Sequence, residues 1–467
     1  MKNIEKSVNS RKRKKSRGEF IRPIKIGGIM DKYNDVDALI WDAVFGDDET
    51  KKYCRYLIRK NAQEKGLGPA SLCELYKTMG KGEVSGITVP AMNIRGMAYD
   101  MARTAFRAAK KTNSAAIIFE IARSEMGYCD QKPSEFVSSV LAAALKENYK
   151  YPVFIQGDHF QVKEKGYKAE KQKELDGIKK LISESVEAGF YSIDLDTSTL
   201  VDLLKPTVKE QQKPNYSLAV ELTNYIRSIE PKGVTVMLGG EIGEIGGKNS
   251  NEEELRAYME GYNETLGRGI IGISKMAVQT GTVHGGIPTA DGKIAKVKLD
   301  FETLEKLSSI SKKDYGLAGC VQHGASTLPS ELFDKFPKTG TAEIHLATEF
   351  QNMIFDHPSF PSDLKNKIYE WLKTNAANER KEGESDSQFF YKTRKKAWGQ
   401  FKKETWSIDE NIKSQIMSEL EKKFVFLFEK LHIVNTDKIV KKYIKVVNVD
   451  IKKPEIAAGA EKFDGAD

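Results

Sequence analysis

Of the six histidines in this 467-residue chain, three stand beside glycines, in Gly157-Asp158-His159, His284-Gly285-Gly286 and His323-Gly324. Glycine lets the backbone approach a ligand closely. Three neutral imidazoles converging on one point suit Zn2+ or a similar divalent ion and leave a coordination position open for a substrate oxygen. Any one of these histidines alone reads more simply as a hydrogen-bonded core or loop residue; three at equivalent places in one repeating pattern argue for a metal. An ion there would act as a Lewis acid on a ketone and stabilise the enediolate formed when the neighbouring C–C bond breaks. That chemistry needs a proton carrier. Asp158, next to a proposed ligand, is the candidate for exchanging a proton with a substrate hydroxyl, against the plainer role of orienting its neighbours. Glu241, in the glycine-rich segment 239–247, is an additional or alternative metal ligand.

Such residues need a scaffold that brings distant segments together. From about residue 85 the chain alternates short β-rich runs with longer amphipathic stretches, which predicts a parallel sheet with crossover helices. Eight runs can be counted: Ile87–Ile94, Ala115–Ala122, Tyr151–His159, Gly189–Asp196, Gly233–Glu241, Lys275–His284, Tyr315–His323 and Thr341–Thr348. Apolar residues return every three or four positions between them, as in Met97–Lys111 and Lys168–Ala188. The expected fold is α/β, a (β/α)8 barrel over about 265 residues, close to the usual size of about 250. Catalytic groups in that fold collect at the C-terminal ends of the strands. Here Asn93, Asp158-His159, Asp194, Asp196, Glu241, His284 and His323 end six of the runs. The expected organisation is a basic tail (1–20), a charged, partly helical extension (21–84), the barrel (85–355) and a helical C-terminal extension (356–467).

The net charge of +8 invites a nucleic-acid reading, but residues 1–20 carry +6 of it, with eight Lys or Arg against two Glu. The remainder is nearly balanced, so nucleic acid is an expected partner only through the arm Arg11-Lys12-Arg13-Lys14-Lys15, and a solvated tail is the commoner meaning of such a block. The tail lacks the apolar region of a secretory signal, and no apolar stretch is long enough to span a bilayer. Cys54, Cys73, Cys129 and Cys320 form no C-x-x-C pair, which fits a reducing, cytoplasmic setting.

The ordered motifs over residues 85–350 resemble the class II fructose-bisphosphate aldolase family. Pro90-Ala91-Met92-Asn93 is similar to the family's Ala-Phe-Asn segment, Gly157-Asp158-His159 to its Asp-His pair of acid/base and metal ligand, and Ile193-Asp194 to its Ile-Asp element. Glu241-Ile242-Gly243-Glu244-Ile245-Gly246-Gly247 resembles its Glu-Leu-Gly-x-Ile-Gly-Gly motif, and Gly281-Thr282-Val283-His284-Gly285 and His323-Gly324-Ala325-Ser326 its two further histidine motifs. The resemblance implies reversible cleavage of a ketose (bis)phosphate, fructose 1,6-bisphosphate or a close relative, into dihydroxyacetone phosphate and an aldehyde, as a glycolytic enzyme would perform. It implies zinc bound by His159, Glu241, His284 and His323, a monovalent cation, a homodimer or larger assembly, and substrate contacts from Asn93, Arg123, Gly285, Gly324, Ser326 and Thr348. The departures bear on substrate. His323-Gly324-Ala325-Ser326-Thr327 stands for His-Gly-Gly-Ser-Gly, and His345-Leu346-Ala347-Thr348 for Asn-x-Asp-Thr, losing a carboxylate associated with the monovalent cation. Ala122-Arg123 stands where a phosphate-binding serine is expected. Asn249 occupies the mobile-loop glutamate position, with Glu252 as the nearest substitute catalytic group.

Other readings remain open. A Schiff-base aldolase would need a strand lysine, and Lys275 opens the sixth run, at the wrong end. A metal-dependent barrel hydrolase would use the same ligands to activate water. A non-catalytic sugar-phosphate- or nucleic-acid-binding barrel would keep the pocket without turnover.

Overall fold

A computed structural model describes residues 35–243, 247–281 and 299–455. Eight parallel strands close into a barrel in strict chain order: β1 Val89–Asn93, β2 Ile118–Ala122, β3 Phe154–Gln161, β4 Ser192–Asp196, β5 Met237–Gly243, β6 Lys275–Val278, β7 Cys320–Gln322 and β8 Glu343–Leu346. Each expected run overlaps one of them, β3 and β5 continuing two residues past the expected ends, and at least one helix follows each of the first seven strands before the next begins. β8 pairs with β1, matching Val89 to Glu343 and Met92 to Leu346, so no edge is left exposed. β6 ends at Val278, short of the expected His284, and residues 282–298 lie outside the described segments.

Every residue of β1, β2 and β4 is buried, as expected of strands covered by helices outside and filled by side chains inside. The outer layer is formed by amphipathic crossover helices such as Ala98–Thr112, Pro133–Lys146 and Val208–Ile229. Their ends carry the signals that stop and start helices. Thr207 and Glu210 form a capping box before Val208–Ile229, and Asn251 and Glu254 another before Glu252–Leu266. No helix among the described residues is long and apolar enough to cross a membrane.

The extensions are packed onto this frame. Helices Val36–Phe45 and Asp48–Glu64 lie against Pro133–Lys146. Cys73–Gly80 sits under the barrel, where the Tyr76 hydroxyl donates to Glu343 at the start of β8. At the other end of the chain, helix Glu410–Lys430 packs along Ala98–Thr112, with Arg107 paired to Glu421 at 2.7 Å, and against helix Thr348–Phe355, with Phe424 and Phe350 ring centroids 4.9 Å apart. The segment before it folds over the loop that follows β1. Trp398 Nε1 donates to Gln351 at 3.0 Å, and Trp406 Nε1 donates to the Gly96 carbonyl at 3.1 Å.

Gly96 shows how tight that junction is. Its φ is +83°, and a Cβ there would lie 2.4 Å from the Trp398 indole. Gly82 has a similar φ of +77° but open space around it. Gly96→Ala is therefore expected to destabilise the fold by about 2–4 kcal/mol, strain plus overpacking, and Gly82→Ala by about 1 kcal/mol, strain alone. Equal shifts of the two variants in urea-denaturation midpoint would contradict this packing.

Candidate functional site

The C-terminal mouth of the barrel gathers residues from six strands. On β3 the register slips between Gly157 and Phe160, and His159 takes a left-handed φ of +40°. A histidine is rarely held there without surrounding structure that enforces it. Part of that enforcement is visible: a Cβ on Gly157 would strike the Phe160 ring at 2.3 Å, so the bulge is tolerated because residue 157 is glycine.

The bulge aims His159 into the mouth. Its Nδ1 lies 3.2 Å from Asp196 Oδ2 at the end of β4 and 3.0 Å from Glu241 Oε2 on β5, and its Nε2 lies 3.7 Å from Asp158 Oδ1. The His323 ring, just after β7, stands 4.2 Å from the His159 ring, and His323 Nδ1 is 3.9 Å from Asp158 Oδ1. Two sets of donor atoms are thereby compact enough for one ion: Asp158, His159 and His323, and His159, Asp196 and Glu241. Mixed imidazole and carboxylate donors fit zinc, manganese or cobalt chemistry.

Electrostatics fit the same purpose. Burial, with Asp196 adding repulsion, pushes the Glu241 carboxyl up to about 7 despite the nearby His159. Burial also works against charge on Asp196, but hydrogen bonds from His159, Ser198 and Gln161 outweigh it and hold that carboxyl below its ordinary value. For His159 burial is outweighed by Asp158 and Glu241, and the imidazole rises well above its usual range.

Asp158, His159 and His323 line a cavity of about 320 Å³, together with Asn93, Arg123, Gly324, Ser326 and Thr348. The structure thus brings these sequence-derived candidates together, and Glu241 touches His159 from the side. Arg123 reaches the cavity already engaged, its guanidinium donating at 2.6 Å to both Glu174 and the Gln161 carbonyl. His284 and Gly285 lie outside the described residues. Glu252 is a correction to the sequence reading: it opens helix Glu252–Leu266, and its carboxylate is bound at 2.9 Å by both Arg256 and Lys306 instead of reaching the cavity. Asn249 likewise turns its amide toward Asp300, at 3.3 Å.

Three contributors were given no role in the site by the sequence reading. His345 on β8 stacks on His323 with centroids 4.1 Å apart and places Nδ1 3.1 Å from Asp158 Oδ1. Its alternation with Glu343 along an otherwise apolar strand, two inward positions apart, was the available signal. Arg95, buried and paired with Glu125, and Lys395, from the distant C-terminal extension, also line the cavity; nothing local in the sequence marks Lys395.

Beneath the mouth lies a sealed polar layer. Lys275 Nζ, fully buried, contacts Asp194 at 2.9 Å, Gln156 at 2.7 Å and Glu343. Burial opposes its charge, but Asp194 and Glu343 prevail and raise its proton affinity. A permanently protonated amine is a poor carbonyl nucleophile, which weighs against Schiff-base chemistry at Lys275.

Two outcomes are expected. Lys275→Met leaves Asp194 and Glu343 without their cation and should cost about 3–5 kcal/mol in denaturant unfolding; a neutral result would refute the pairing. Metal binding must displace protons from Glu241 and His159, so zinc affinity should climb as pH rises through about 7 and keep climbing above it while His159 still holds its proton. Calorimetric titration in buffers of different ionisation enthalpy should register proton release on binding, and an affinity independent of pH from 6 to 8 would contradict this assignment.

A model of the family described as fructose-bisphosphate aldolase class-II matches residues 74–404, more than two thirds of the chain. Among solved structures, a protein from Sinorhizobium meliloti 1021 named as a probable tagatose 6 phosphate kinase is 15% identical, with 76% of this chain and 99% of that one covered at a TM-score of 0.52. A fructuronate-tagaturonate epimerase from Cohnella laeviribosi is 12% identical, with 84% and 86% covered at 0.50. A fructose-bisphosphate aldolase from Campylobacter jejuni is 19% identical, with 79% and 98% covered at 0.47. At such identities the first two likenesses speak for the barrel fold, and the family match speaks for descent. The chain belongs to the class II fructose-bisphosphate aldolase family.

Proposed function

We propose that this protein is a metal-dependent aldolase that reversibly cleaves a phosphorylated ketose into dihydroxyacetone phosphate and an aldehyde. The observation that carries the reading is the convergence of Asp158, His159 and His323 on one cavity at the barrel mouth. His159, His323 and Glu241, with His284, would hold the ion, zinc being our choice for the donor set. When bound, a divalent cation supplies Lewis acidity, polarising a substrate carbonyl and balancing the negative charge that develops beside it.

The protein's own residues would do the rest. Asp158 carries the proton to and from the substrate hydroxyl whose O–H bond breaks as the C–C bond cleaves. Gly324, Ser326 and Thr348 offer backbone and hydroxyl donors at the cavity rim, where helix Thr348–Phe355 begins, an arrangement suited to a phosphate. Lys395 completes that rim. Burial and the neighbouring Arg95 lower its proton affinity, with Glu125 only partly compensating, so a dianionic phosphate would relieve an under-compensated charge. Asn93 is held by Glu125 and lines the same wall. Fructose 1,6-bisphosphate is the first candidate substrate, although Asn249 and the engaged Arg123 favour a relative of it. We take the working form to be a homodimer or larger oligomer in the cytoplasm.

The test is a coupled assay for dihydroxyacetone phosphate release from a panel of ketose phosphates, with chelator, zinc add-back and His284→Ala. Cleavage should disappear with chelator and return with zinc only in the wild type. Asp158→Asn should lower kcat by about 10²–10⁴-fold. Lys395→Met should raise KM by about tenfold or more, as expected from a lost charge-assisted hydrogen bond. Stoichiometric metal binding with no ketose phosphate cleaved would overturn the proposal.

A further inference from the structure

The barrel interior crowds six carboxylates together. Glu120, Asp158, Asp194, Asp196, Glu241 and Glu343 form a continuous run of contacts through Gln156, His159, His345 and Lys275. All but Glu241 are buried. The permanent cation in contact with that run among the described residues is Lys275, already engaged by Asp194 and Glu343. Buried charge without compensation is costly. An ion at His159 and His323 would lie beside Asp196 and Glu241, whereas Glu120 and His345 stand on the other side of Asp158.

That second side has the geometry of a donor set. Glu343 Oε1 holds His345 Nε2 at 2.7 Å, which fixes the ring and leaves Nδ1 facing Asp158 Oδ1 and Glu120 Oε2, each at 3.1 Å. A carboxylate behind an imidazole in this way is the usual outer support of a metal-bound histidine. Ligand atoms about 2.1 Å from a common ion lie roughly 3.0–3.4 Å apart in octahedral or tetrahedral arrangements; both His345 distances fall in that range, and all three donor atoms lie within 4.8 Å of one another. An independent observation concerns Glu120. Its side chain is 0% exposed and lines the cavity, and its Oε1 makes no hydrogen bond among the described residues.

We propose that Glu120, Asp158 and His345 form a second divalent-cation site beside the one at His159 and His323, with the Asp158 carboxylate shared between the two ions. Asp158 Oδ1, the oxygen nearest all three imidazoles, is the shared atom. The inference takes the first ion from the function proposed above and is independent of which sugar is cleaved, or whether any is.

The test counts ions. The full chain is stripped with chelator, re-equilibrated with zinc by equilibrium dialysis, and its metal measured by emission spectroscopy, with circular dichroism as the folding control. Two zinc ions per wild-type chain are expected, falling to one in His345→Asn and in Glu120→Gln. Manganese loading should give a spin-coupled pair by electron paramagnetic resonance in the wild type and an uncoupled ion in His345→Asn. One zinc in the wild type overturns the proposal, as does an undiminished count in both variants; loss of all metal in a folded His345→Asn would assign His345 to the first site and overturn it too. If a variant fails to fold, the wild-type count and its manganese spectrum decide. Two ions with no ketose phosphate cleaved would remove the aldolase reading alone, and cleavage with a single ion would remove this one alone.

Discussion

A lysine, a histidine and four carboxylates enclosed in one closed barrel must be matched almost atom for atom, because each unmatched charge there is severely penalised. Lys275, Glu343, Asp194 and His345 meet this condition, and much else follows from their arrangement. Burial alone would keep Glu343 neutral, but Lys275 and His345 outweigh it and hold the carboxyl well below its ordinary value. The ionised Glu343 then fixes His345, which fixes Asp158. The position of the proposed proton carrier is thus set from the floor of the barrel upward, by Lys275 and Glu343, which do not line the cavity, acting through His345, which does. Tyr76 extends this chain into the N-terminal extension through its bond to Glu343.

The upper boundary of the site is built differently. The barrel supplies the ion-binding side chains from strand ends, while the C-terminal extension supplies a wall. Trp398 and Trp406 grip the turn after β1, and this places Lys395 beside Arg95 at the cavity rim. Glu125 then ties Arg95 and Asn93 together. A cation contributed from outside the barrel lets that rim of the cavity vary while the strand-end cluster stays fixed.

The barrel was legible in the sequence because its strands are short apolar runs and its helices keep a 3.6-residue period. The candidate site was legible because Asp158, His159 and His323 interrupt those runs at their ends. Other features were hidden for identifiable reasons. The bulge in β3 that turns His159 inward depends on a tertiary contact between Gly157 and Phe160, and strand periodicity alone carries no trace of it. Glu252 looked available because charge and proximity to the glycine loop were the only criteria; its partner Lys306 lies in a different helix. Lys395 is far from the barrel motifs in sequence, and its neighbours suggest only a solvated basic patch. His345 was noticed as a lost carboxylate motif, whereas the inward-facing spacing of Glu343 and His345 is what marks it.

The grip of Trp398 and Trp406 on Gly96 also orders events during synthesis. β1 is among the first elements made, yet the turn that follows it acquires its final packing only when residues beyond 400 become available. Closure of the barrel itself waits for β8 to reach β1. A nascent chain therefore carries exposed strand edges and an unfinished mouth for most of its translation, and protection of that intermediate falls to whatever binds unpaired strands in the cell.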